Sequence, residues 1–173
     1  MIIQKILRGD SIGKLLEYFK ELDSRGKHID DNDEYYLLIA LTVATRSGCL
    51  RRKYGCVIVK DNKIISTGYN IAPSACIATD KCYREIHNIP HGEQYGKSCQ
   101  AVHAEQNALI HADGRDLANS TMYLMGFDCI KKELITASPC EICKPMLKNA
   151  EVKRVISAFA KNDLFFPITV LEN

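Results

Sequence analysis

The sequence predicts an α/β fold, with a mostly parallel sheet opened by an antiparallel hairpin. Two observations carry the prediction. Two β-rich runs meet at a tight turn, and the later strand segments are each separated by a helical one. With 173 residues, 46% of them hydrophobic and 25% charged, the chain suits one domain with a substantial core. The expectation is a single domain over 1–173 with a helical extension at about 1–30.

In chain order, Asp10 and Ser11 can cap a helix whose apolar positions Ile12, Leu15, Leu16, Phe19 and Leu22 keep helical spacing. Gly26 is its stop. A second helix starts near Asp31, Asn32 and Asp33, is expected to bury Tyr35, Leu38, Ile39, Thr42 and Val43, and ends at Ser47 and Gly48. Residues 54–60 and 63–69 then flank Asp61-Asn62, a tight-turn pair. Val57, Ile58 and Val59, then Ile64 and Ile65, are too continuously apolar for a sheet with one wet face.

Residues 70–100 follow, punctuated by Pro73, Pro90, Gly92 and Gly96 and without helical or strand period. A loop of that length carrying Cys76, Cys82, Cys99, His87 and His91 reads as functional. Helical spacing returns over 102–112, ahead of Gly114. A strand over 121–125, a helix over 140–149, a strand over 152–157 and a last strand over 168–171 complete the series. No internal repeat interrupts it.

Composition narrows the function. A net charge of +2 argues against a broad electrostatic grip on nucleic acid. The longest apolar run, 37–44, is too short to cross a bilayer, and no targeting segment is visible. The reading is an intracellular, cytoplasmic protein without membrane attachment. In a reducing compartment, eight cysteines point to metal rather than to disulfides. Cys56, inside an apolar run, reads instead as a small buried hydrophobe.

The chemistry concentrates in two short motifs. His103-Ala104-Glu105 opens one predicted helix, and Ser138-Pro139-Cys140-Glu141-Ile142-Cys143 opens another. A C-x-x-C at a helix start presents two sulfurs one turn apart where thiolates are favoured. His103 adds a nitrogen. Three protein ligands leave one tetrahedral position open, the arrangement of a catalytic zinc rather than a structural one. Glu105 stands two residues from His103, free of the metal and placed to carry protons. Alone, the C-x-x-C could also be a redox pair. Paired with His-x-Glu in this order, it marks a hydrolytic site.

The run Cys99-Gln-Ala-Val-His103-Ala-Glu105-Gln-Asn-Ala108 resembles the deoxycytidylate deaminase family. So do Gly68-Tyr69-Asn70 with Ala72-Pro73-Ser74, Cys82-Tyr-Arg-Glu, and Asn88-Ile-Pro90-His-Gly92 with Tyr95. The resemblance extends over about 37–156. It implies a three-layer α/β/α cytidine deaminase-like fold with a five-stranded mixed sheet. It also implies Zn2+ as cofactor, conversion of dCMP to dUMP and ammonia, and a homo-oligomer, usually a hexamer.

By the same resemblance, Asn70 would bond the sugar 3′-hydroxyl, while Ser138, Pro139 and the backbone of Ala104 would line the base pocket. Many members are activated by dCTP with Mg2+ and inhibited by dTTP. This chain departs from them with Ile71 and Ala75 at two positions that are often glycine. The stretch 126–136 is also longer than in many members and brings Cys129, Lys131 and Lys132 toward the site's rim. Phe159 is the candidate for a ring that stacks on the base. Some members carry a second, structural zinc. Its counterparts here would be Cys49, Cys82, His91 and Cys99, with Cys76 competing, gathered behind the active site.

Arg51, Arg52 and Lys53, just before the first strand, are candidates to hold the phosphate; the bland alternative is a solvated basic turn. Other readings are a tRNA-adenosine deaminase, a cytidine or deoxycytidine deaminase, a riboflavin-pathway deaminase, or a non-catalytic zinc module. The long Cys-rich insertion favours a nucleotide enzyme over the tRNA enzyme. Glu105, which zinc binding does not require, favours an enzyme over the module.

Overall fold

The computed structural model describes residues 32–90, 93, 99–161 and 164–172. The expected helix at 12–22, the extension at 1–30, His91 and the side chain of Phe159 lie outside that description.

Helix α1 (Asn32–Ala44) carries Asp33 and Glu34 in its first turn, where carboxylates suit the positive end of the helix dipole. Its buried face is Tyr36, Leu37, Ala40, Leu41 and Ala44, whereas Tyr35 and Thr42 are exposed. The expected face is therefore rotated by about one residue. The helix is apolar around most of its circumference, so spacing alone could not choose. Gly55 makes the choice: a Cβ there would strike the backbone of Ala40 and Ala44, so the small residues must face the sheet.

Strands β1 (Arg52–Lys60) and β2 (Lys63–Tyr69) form the expected antiparallel hairpin. Asp61 and Asn62 turn with φ of 50° and 59°, the double positive φ of a type I′ turn. The Tyr36 hydroxyl donates to Asn62 O at 2.9 Å and pins that turn to α1.

Two short helices, α2 (Ser74–Thr79) and α3 (Tyr83–Ile86), occupy part of the stretch expected to be irregular. Then come α4 (Ala104–His111), α5 (Gly114–Leu117), β3 (Thr121–Asp128), β4 (Glu133–Ile135), α6 (Cys143–Asn149), β5 (Arg154–Lys161) and β6 (Leu164–Glu172). Strand order is β2-β1-β3-β5-β6, with the short β4 added to β3. That gives the five strands expected plus a sixth, from a segment whose three residues carry too little pattern to read.

The sheet is mixed, but it is not mostly parallel. Only β3 and β5 pair in parallel; every other pairing is antiparallel. Helix α4 does return the chain so that β3 runs in the direction of β2. However, β1 sits between them and is antiparallel to both. Chain order reveals direction, not adjacency.

Strand alternation divides the core between the two faces. Val57, Val59, Tyr123, Met125, Ile156 and Ala158 pack on α1. Cys56, Ile58, Met122, Leu124 and Val155 pack with Ala104 and Ala108 of α4 and Leu147 of α6. Helices on both faces make the three layers. Cys56 is fully buried, as expected, and its thiol donates to Ala104 O at 3.1 Å.

Helix α4 rides directly on β2. Ser66 Oγ donates to Ala108 O at 2.7 Å, Tyr69 N to Asn107 Oδ1 at 3.2 Å, and a Cβ on Gly68 would meet the backbone of Ala104 and Ala108. Gly68→Ala is therefore expected to destabilise the fold by about 1–3 kcal/mol, read as a lower urea midpoint. A midpoint equal to wild type would mean that α4 is free to shift.

Candidate active site

Helix α4 starts one residue after His103, whose backbone N–H donates to Gln106 Oε1 at 2.9 Å. Helix α6 starts at Cys143 rather than at Cys140. Cys140 lies in the turn ahead of it, its carbonyl accepting from Cys143 N at 2.9 Å and Lys144 N at 3.0 Å. The sequence could not separate these, because a turn and a first helical turn share the same spacing.

Both helices sit on the same face, and their starts converge. His103 Nδ1 is 3.3 Å from Cys140 Sγ and 3.4 Å from Cys143 Sγ. The three ligand atoms lie within 4.8 Å of one another, the only such group of three among the described residues. Tetrahedral zinc, with Zn–N and Zn–S near 2.0 and 2.3 Å, holds N and S about 3.5 Å apart. The donor set fits that ion in size and in chemistry.

Charge fits as well. Cys143 and His103 hydrogen-bond to Cys140, and the backbone N–H groups of Cys143 and Ile142 add to them, pulling the Cys140 thiol down to about 3. The same bond to Cys140, with burial and Glu105 adding to it, pushes the Cys143 thiol up. Both sulfurs bind a cation as thiolates, so the protons they carry leave as it binds. Glu105, on the first turn of α4, is buried beside them. Burial raises its carboxyl above the ordinary range, opposed by its own backbone N–H and by His103.

A cavity of about 380 Å³ opens onto this group and is lined by His103, Glu105 and Cys140. Of the expected substrate contacts, Asn70, Ala104 and Ser138 line it; Pro139 is buried outside its wall, as is Cys143. Tyr54, Arg84, Ala101, Leu124, Ile135 and Thr136 also line it without having been expected to. Tyr54 had a signal, since alternation from Cys56 and Ile58 puts it on the α4 face.

Asn70 is held on every side. Its Oδ1 accepts from Tyr54 N at 2.7 Å, its Nδ2 donates to Arg52 O at 3.0 Å, and its carbonyl accepts from Ser47 Oγ at 2.7 Å. The amide keeps a second lone pair and a second hydrogen for a ligand.

Cys49, Cys82 and Cys99 line the same cavity rather than lying behind it, and Cys76 does not line it. Burial raises the Cys99 thiol, and the nearby Cys49 and Cys82 add to the effect.

Residues 30–159 match the family described as the cytidine and deoxycytidylate deaminase zinc-binding region. The deoxycytidylate deaminase of Mycobacterium phage D29 is 37% identical over 130 residues, covering 73% of this chain and 93% of that protein. The deoxycytidylate deaminase of Saccharomyces cerevisiae is 30% identical over 149 residues, 73% of this chain but 44% of its own length. The dCMP deaminase of cyanophage S-TIM5 in apo form shares the fold. Its TM-score is 0.51 at 24% identity, covering 79% of this chain and 90% of that one.

Proposed function

Because this chain belongs to the cytidine and deoxycytidylate deaminase family, we propose that it hydrolyses dCMP to dUMP and ammonia. The observation that carries the reading is the convergence of His103, Cys140 and Cys143 beside a buried Glu105 on one cavity. Zinc, when bound there, supplies the Lewis acidity that makes water a nucleophile at neutral pH.

The rest is the work of the chain. His103 and the sulfurs of Cys140 and Cys143 would hold the ion. Glu105 would take one proton from the attacking water and give it to the pyrimidine ring nitrogen, then take the second from the hydroxyl now on the ring carbon and give it to the amine, which leaves as ammonia. Its burial suits this task, since a carboxyl with a raised pKa exchanges protons more evenly with a weak base. Asn70 would orient the sugar, and Ser138 and the backbone of Ala104 the base.

The test is a panel of dCMP, dCTP, CMP, cytidine, deoxycytidine and tRNA scored by ammonia release. Release fastest from dCMP supports the reading, and release fastest from tRNA or from a free nucleoside replaces it. A homo-oligomer, hexameric as the resemblance implies, and control by dCTP and dTTP with Mg2+ belong to the same reading, as does a cytoplasmic location. Among the described residues no helix is long and apolar enough to cross a membrane.

A further inference from the structure

Three guanidinium groups line the cavity, those of Arg51, Arg52 and Arg84, with Glu105 as the one carboxylate among its lining residues. The three guanidinium groups differ in what they already hold. Arg84 donates to Pro90 O and Glu93 O. Arg52 gives its Nε to Asp128 Oδ2 at 3.3 Å. Among the described residues Arg51 reaches only Ile89 O, through Nη1 at a long 3.5 Å. That partner is a neutral carbonyl, and a guanidinium has the planar fork that can meet a phosphate in two parallel bonds. Lys53 is not in the cavity wall. Alternation along β1 turns it to the α1 face, opposite Arg52 and Tyr54.

The backbone that carries Arg51 is secured by the β3–β4 hairpin. Cys129 N donates to Arg51 O at 2.8 Å, and Arg52 pairs with Asp128 across the ladder. The Asp128 carboxylate accepts from Ile130 N and Lys131 N, both at 3.0 Å, as well as from Arg52. Burial alone would raise this carboxyl; those two N–H groups and Arg52 hold it below its ordinary range instead. One buried carboxylate thus ties the hairpin turn to the start of β1. The same hairpin adds Ile135 to the cavity wall, with Thr136 directly after it.

We propose that Arg51 selects substrates carrying a 5′-phosphate, and that Asp128 of the β3–β4 hairpin is a positioning residue that fixes Arg51 through Arg52 and the Cys129 backbone. This rests on the deaminase reading and adds to it the residue that distinguishes a nucleotide from a nucleoside.

The experiment compares dCMP with deoxycytidine on the zinc-loaded enzyme. Loss of a charge-assisted bond pair in Arg51→Gln should lower the ratio of kcat/KM for dCMP to that for deoxycytidine by about ten- to a hundredfold. Arg51→Lys, which keeps the charge and loses the fork, should fall in between. Asp128→Asn should raise KM for dCMP by about three- to tenfold while kcat holds. A merely structural Asp128 would instead lower kcat on both substrates together, and that result overturns its role. An unchanged ratio in Arg51→Gln overturns the role of Arg51. A wild type that deaminates both substrates equally well removes phosphate selection but leaves the deaminase reading standing. A wild type that deaminates neither removes both.

Discussion

Replacing Glu105 with Gln is expected to abolish turnover while leaving metal and fold in place. The amide matches the carboxyl in size but cannot pass a proton, and general acid–base help is worth about a hundred- to ten-thousandfold. The three ligand atoms belong to other residues and stay as they are. Because Glu105 is buried, a neutral side chain costs less to hold there than a carboxylate, so thermal stability should not fall. The measurement is kcat on dCMP beside zinc content and Tm on one preparation. Retention of more than about a tenth of wild-type kcat would falsify the proton-transfer role.

Removing a ligand should do something different. Cys140→Ser and His103→Ala are expected to lose metal, activity and stability together. Bound zinc would join the start of α4 to that of α6, so its binding free energy would also be folding free energy. At a hundredfold excess of free zinc over its Kd, that linkage supplies about 2.7 kcal/mol. For a chain of this size it corresponds to a Tm lower by about 5–10 °C. With a chelator present, wild type and variants should melt close together, because the difference lies in the ion. Variants that keep full zinc content are not missing a ligand.

Much of this site was legible before the fold. His103, Glu105, Cys140 and Cys143 announce themselves because metal chemistry demands specific atoms at short spacing, and local spacing is what a sequence displays. Asn70 and Ser138 came by resemblance, and the structure puts both on the cavity. The long-range relations stayed hidden. Nothing local in β1 says that it lies between β2 and β3, and that insertion is what made the sheet largely antiparallel. The face of α1 was unreadable because most of its positions are apolar, and a glycine some eleven residues beyond the helix settles it. Ile135 and Thr136 were passed over because a three-residue strand has too short a pattern, although it closes one wall of the cavity. Tyr54 could have been found by extending the alternation of β1 backwards.

The two crossovers, β2 to β3 through α4 and β3 to β5 through α6, lie on one face, and each helix begins where a strand of common direction has ended. In open α/β sheets such a place gathers the ends of many connections. Here it separates two kinds of inheritance. His103, Glu105 and Cys143 stand at helix starts whose positions the sheet dictates, with Cys140 in the turn just ahead of the second. The stretch after β2 adds Cys82, Arg84 and Cys99 to the wall, and the β3–β4 hairpin adds Ile135. Such segments can lengthen, shorten or be exchanged without disturbing the residues that would hold the metal. A scaffold of this kind is evolvable in one direction: what it accepts can be rewritten by grafting connections, whereas what it does to the accepted molecule cannot.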